Sequence, residues 1–102
     1  MAAPAHHVPL LENPHVRVLE TRIVPGETVP LHTHAWPAVH YFLSAGEIVR
    51  RNATGAAEYD SRQAQTPTRR WQAAWSGPLG PHTLENVGTT VVHVITVEVK
   101  PG

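Results

Sequence analysis

Proline and glycine punctuate this chain so often that no long helix can run through it. Ten prolines and seven glycines are spread over 102 residues, and inside a helix each breaks the hydrogen-bond ladder or weakens it. Between them the β-branched residues fall in short runs. Residues 15–24 (HVRVLETRIV) read as a strand closed by the turn dipeptide Pro25-Gly26. Residues 28–31 read as a short extended piece, followed by His32-Thr33-His34 and a bend at Ala35-Trp36-Pro37. Residues 38–44 (AVHYFLS) are strand-like; Ala45-Gly46 turns the chain, and residues 47–51 (EIVRR) are expected to return as the hairpin partner. Residues 56–60 and 71–76 are further short strands around a polar loop over 61–70. A rigid turn at 77–81 (GPLGP) precedes extension over 82–86, and 89–99 (TTVVHVITVEV) is the longest β run. About eight to ten short strands divided by turn chemistry predict an all-β sandwich or barrel.

The length allows one domain, since a domain usually takes ~100–200 residues, and such a chain buries roughly 60–65% of its unfolded surface, a thin core. Residues 1–9 read as an N-terminal extension and 10–102 as the domain. Eight basic residues balance eight acidic ones, which argues against a nucleic-acid or membrane-surface partner. Cysteine is absent, which excludes disulfides, thiolate metal sites and cysteine nucleophiles. No apolar run approaches the ~18 residues of a membrane helix. The N-terminus lacks the basic start and apolar stretch of a secretory leader, so a cytoplasmic location is expected.

Eight histidines stand out against this background. His32 and His34 are one residue apart, and on a strand such a pair shares one face. Two imidazoles on one face can bind one metal ion, although a lone His-x-His is weak evidence. Gly26 lies six residues before His32, and Gly46 follows the next strand-like run. Further on, Pro78-Leu79-Gly80-Pro81-His82 is followed four residues later by Asn86.

These segments resemble the two motifs of the cupin superfamily. Residues 26–34 resemble the first (Gly, five residues, His-x-His, then an acidic residue and a later Gly), and 78–86 resemble the second (Pro-x-Gly, a spacer, His, three residues, Asn). The spacer is one residue here where the family usually has two. The likeness is greatest to short bacterial single-domain cupins, with Asn13, Val16, Arg17, Val18, Trp36, Pro37 and residues 85–88 supplying their further pieces. It covers roughly residues 10–100.

The resemblance implies a small jelly-roll barrel with His32, His34 and His82 as metal ligands on its inner face. It also implies a homodimer, which the aromatic load supports. The chain departs from the pattern where the acidic ligand belongs: positions 38 and 39 hold Ala38 and Val39, and no carboxylate lies between His34 and Glu47. Gly46 fits an acidic position at 39 better. If Val39 holds the inward position, strand alternation turns His40 away; if Ala38 does, His40 faces inward as a fourth ligand or pocket residue. Imidazole suits Fe, Zn, Cu and Ni better than Mg or Ca. Three neutral ligands leave the ion's charge uncompensated and coordination positions open. Such a site favours a small anionic, enolisable substrate. O2-dependent oxidation and Lewis-acid isomerisation or lyase chemistry are the reaction classes open to it. A non-catalytic small-molecule-binding module is the alternative, because the first motif offers no general base.

Other residues carry lesser expectations. Trp36 stands at the expected site mouth, and Val39, Tyr41 and His93 are expected to line the pocket. Trp71 and Trp75 are expected to pack in the core on one face. Asn86 reads as structural, and Arg50-Arg51 and Arg69-Arg70 as solvated loop ends. Glu85 and Glu98 lie on strands without an assigned role, and His6, His7 and His15 carry none.

Overall fold

The structure, a computed structural model, describes residues 6–63 and 69–102. Residues 1–5 of the expected extension and 64–68 of the expected polar loop lie outside the described residues. The described chain forms nine strands and no helix. They are β1 (His7–Glu12), β2 (Val16–Ile23), β3 (Thr28–His34), β4 (Ala38–Ser44), β5 (Ile48–Asn52), β6 (Ala57–Asp60), β7 (Ala73–Ser76), β8 (Leu79–Asn86) and β9 (Val92–Val99). One antiparallel sheet runs β1-β2-β9-β4-β7 and the other β3-β8-β5-β6, the two packed layers of a jelly roll. No helix among the described residues is long and apolar enough to cross a membrane.

Turn chemistry sets the corners. Asn13 Oδ1 accepts hydrogen bonds from the backbone of His15 and Val16, at 2.8 and 2.9 Å, and reverses the chain between β1 and β2. Gly26 adopts φ 83° between β2 and β3, a left-handed conformation that glycine reaches without steric cost. The longest ladder pairs β2 with β9 over eight residue pairs.

The structure revises three expectations. Residues 7–9, assigned to an extension, belong to β1, which adds an edge strand where Pro9 is tolerated. The stretch expected as a rigid turn already enters β8 at Leu79. The chain after β4 does not return as its hairpin partner either. Both edges of β4 are taken, by β7 and β9, and β5 pairs with β6 and β8 in the opposite sheet. Gly46 sits at this crossing. A Cβ there would stand 2.9 Å from Thr90 Oγ1 and 3.2 Å from the Thr90 carbonyl oxygen, so a larger residue would push the crossing apart.

The core is segregated along the barrel. One end is apolar, built from Ile23, Val29, Ile48, Val92 and Val94 with Phe42, Tyr59 and Leu84 packed against them. Asn86 closes this end. It is fully buried; its Nδ2 donates to the Ile23 and Thr90 carbonyls at 2.9 and 2.8 Å, and its Oδ1 accepts from the Gly88 amide at 3.0 Å. Its side chain ties the end of β2 to the loop between β8 and β9, the structural role read from the sequence. The other end of the barrel is polar, and the histidines lie there.

Candidate metal centre

β3 is irregular in a way that gathers its histidines. Its register against β8 shifts between Val29 and His32 and again between His32 and His34. Val29 and His32 are three residues apart, so an unbroken strand would place them on opposite faces. The extra residue at the first shift, next to Pro30, lets Val29, His32 and His34 all bury inward. His32 then pairs directly across from His82 on β8.

Four buried imidazoles converge. The ring centroids of His32 and His82 are 4.3 Å apart, those of His32 and His34 4.9 Å, and those of His34 and His82 5.4 Å. The fourth is His7 on β1, 4.8 Å from the His32 ring and 5.6 Å from that of His34. Each of His7, His32 and His34 offers a nitrogen within 4.8 Å of the others, a grouping that could hold a metal ion. The sequence reading missed His7. The available signal was the Asn13-Pro14 turn, which folds the preceding six residues back along β2 and leaves His7 as the one buried residue of β1.

The rings are prepared as ligands. His32 Nδ1 bonds the Pro30 carbonyl at 2.7 Å, and His82 Nδ1 bonds the Gly80 carbonyl at 2.8 Å, each two residues upstream. A carbonyl only accepts, so each Nδ1 carries the proton and Nε2 keeps the lone pair. Burial pushes His32 down to about 4 against the opposing carbonyl bond, and its imidazole neighbours push the same way. Burial also lowers His82, again against its carbonyl bond, with His34 and Arg50 adding to the effect. Both are neutral at neutral pH, the ligand form. His34 Nδ1 is buried without a hydrogen-bond partner among the described residues. Two neutral imidazoles with fixed tautomers, beside a buried nitrogen without a hydrogen-bond partner among the described residues, fit a divalent transition metal.

Ala38 occupies the inward position on β4, and its cross-strand partner on β9 is Glu98. The carboxylate absent from 38 and 39 thus has a counterpart one strand away. Glu98 is fully buried. Arg17 Nε and Nη2 donate to its two carboxylate oxygens at 3.1 Å, and His34 Nδ1 lies 4.0 Å from it, an ionic contact longer than a hydrogen bond. Burial alone would raise the Glu98 carboxyl, but His34 and Arg17 outweigh it and hold it below the usual range. It stays an anion at neutral pH.

The imidazoles open into a cavity of about 320 Å³. His40 lines it, with Nδ1 3.0 Å from Thr96 Oγ1 and Nε2 2.8 Å from Ser76 Oγ. Both nitrogens are committed to hydroxyls, so His40 is placed in the wall and outside the imidazole cluster. The four other expected lining residues are not in the wall. The inward phase of β4 is Ala38, His40 and Phe42, which turns Val39 and Tyr41 outward, 36% and 39% exposed. On β9 the inward phase is Val92, Val94, Thr96 and Glu98, so His93 points out and meets Glu20 Oε2 at 2.8 Å. Trp36 lies between Arg17 and Lys100, whose charged groups are 4.7 and 5.4 Å from its ring. Trp71 and Trp75 are not core residues either: both are more than half exposed, and Trp71 lies outside β7 at φ 66°.

No family model matches the sequence, and no curated protein matches it. Solved structures do match the fold. A cupin domain from Bordetella pertussis Tohama I superposes with a TM-score of 0.74 at 20% identity, over 93% of this chain and 94% of that one. An uncharacterized conserved protein with a double-stranded β-helix domain from Klebsiella pneumoniae matches with a TM-score of 0.64 at 22% identity, over 94% and 71% of the two chains. A predicted oxalate decarboxylase from Thermotoga maritima matches with a TM-score of 0.61 at 22% identity, over 93% and 79%. The fold of this chain is that of a single-domain cupin.

Proposed function

We propose that this chain is a small metal-dependent cupin that holds one divalent transition metal in its imidazole cluster and acts on a small anionic, enolisable substrate. The observation that carries this reading is the convergence of four buried imidazoles at the polar end of the jelly roll. His32, His34 and His82 would hold the ion, with His7 as the further ligand that β1 adds. When bound, the metal supplies Lewis-acid polarisation of a carbonyl or enolate oxygen, or a site for O2-dependent oxidation with iron or copper. The carbonyls of Pro30 and Gly80 orient His32 and His82. Glu98 lies beside His34, and Arg17 keeps the carboxylate in place. The Glu98 and Arg17 charges cancel, so a loaded site remains positive and attracts an anion. Phe42, Val92 and Val94 give the cavity an apolar wall.

The test is a calorimetric titration of chelator-stripped protein with zinc, beside a His32→Ala variant. One equivalent bound by the parent and none by the variant is the expected result. An oxygen electrode and an isomerisation assay on the metal-loaded protein then separate an enzyme from a binding module, which would show ligand-dependent melting without turnover.

We also propose a homodimer. A row of outward apolar residues crosses every strand of the larger sheet, from Leu11 through Val18, Val97 and Val39 to Trp75. A self-complementary two-fold contact would cover it.

A further inference from the structure

The two arginines of β5 have different fates. Strand alternation sends Arg51 outward, where its Nη1 donates to Glu85 Oε1 at 2.7 Å. Arg50 turns inward and lines the cavity. This overturns the reading of Arg50 as a solvated loop end, while both arginines belong to β5 and Arg51 keeps a partly exposed side chain. No carboxylate among the described residues pairs with Arg50, and its Nε is buried without a hydrogen-bond partner among them. The Tyr59 ring lies 5.9 Å from its guanidinium carbon, a cation–π contact that satisfies no N–H. A buried donor of a permanent cation without an acceptor is costly, and the side chain that carries it lines the cavity.

Its position is between the two ends of the barrel. Arg50 pairs across from Leu84, and the next inward residue of β8 is His82. Ile48, two residues earlier on the same face, belongs to the apolar end. A molecule held by Arg50 therefore touches apolar wall on one side and imidazole on the other.

We infer that Arg50 is the anion anchor of this cavity, and that the ligand is a small monocarboxylate with an apolar body. The planar guanidinium matches a carboxylate through two parallel hydrogen bonds. Phosphate, carrying more charge, would lose more solvation against Ile48, Phe42 and Leu84. A second oxygen beside the carboxylate, as in a 2-oxo acid, suits the imidazole side. This identification of the ligand rests on the cavity being the functional site, but the Arg50 contact needs no metal.

The experiment is calorimetry on chelator-stripped and on zinc-loaded protein, with butanoate, butan-1-ol, inorganic phosphate and 2-oxobutanoate as probes. Stripped protein binds butanoate, and butan-1-ol and phosphate roughly tenfold or more weakly by comparison. Arg50→Met loses butanoate affinity by a similar factor, and zinc strengthens 2-oxobutanoate more than butanoate. The arginine Nε–H resonances of the unaltered protein give a reading that does not depend on the variant folding: one of them shifts on adding butanoate. Equal butanoate affinity in Arg50→Met, preference for phosphate, or no binding and no Nε–H shift in the parent would overturn the inference. Failure of zinc uptake with Arg50-dependent butanoate binding intact would remove the metal reading and leave the anchor standing. Zinc uptake with butanoate indifferent to Arg50 would do the reverse.

Discussion

At the scale of single residues, this protein keeps three of its histidines, His32, His40 and His82, neutral by burial and holds them with hydroxyls and carbonyls. His40 shows the consequence. Burial pushes it from 6.5 down to about 4, with His34 adding to the shift. The unfolded ring takes up a proton near pH 6.5 and the folded ring only near 4, so the unfolded state binds more protons between those values. Stability therefore falls as the pH drops through that window, by up to about 3 kcal/mol from this residue. Urea unfolding of chelator-stripped protein at pH 7 and pH 4.5 measures it. His40→Gln should flatten that dependence, and an unchanged slope would show that His40 is not its source. The His-x-His spacing of His32 and His34, with the resemblance to the two cupin motifs that adds His82, leads to three of the four imidazoles that the fold brings together. The Asn13-Pro14 turn signals that the strand carrying His7 returns along β2, but neither His7 nor Glu98 is marked by the chain as a member of the site. Each reaches the cluster only through a cross-strand neighbour, Thr21 or Ala38, far away in sequence. The phase of β4 was left open by the sequence, and with it the orientation of Val39, His40 and Tyr41. Pairing with β9 decides it.

At the scale of elements, each strand carries two faces with unrelated duties, and β2 and β9 show this most clearly. Arg17 and Glu98 occupy directly paired positions and form a bidentate ion pair whose carboxylate is wholly buried. Replacing Arg17 with Leu leaves Glu98 without its cationic partner, a loss of about 3–5 kcal/mol. Thermal unfolding of Arg17→Leu and of the double variant Arg17→Leu, Glu98→Leu checks the account: the double variant should recover much of the loss. A single variant as stable as the parent would mean that water or His34 already serves the carboxylate. Most strands were legible as elements, because turn residues bracket them. Residues 38–44 are β4 to the residue, and 15–24 contain β2 with one residue to spare at each end. Partners were less legible. Adjacent strands in sequence suggest a hairpin, yet β4 and β5 lie in different sheets because long-range pairing claims both edges of β4. The register shifts in β3 were invisible for a similar reason, since a bulge is defined only against the partner strand.

At the scale of the whole molecule, a chain of this length divides one interior between two purposes. The apolar end supplies the core, and the polar end gives up packing to hold four imidazoles and a cavity. A core so reduced gains from covering its outer sheet face with a second copy. Sedimentation should therefore find a dimer, and Val97→Asp, in the middle of the apolar row, should shift it to monomer while retaining the fold. A parent that sediments as a monomer at all accessible concentrations would remove the dimer. The central claim concerns the imidazole cluster, and elemental analysis of tag-free protein purified without added metal tests it most directly, beside a His82→Ala variant. The account predicts about one transition-metal ion per chain in the parent and a marked loss in the variant. A parent that carries no metal, and takes up none when iron, zinc, copper and nickel are each supplied, would contradict it.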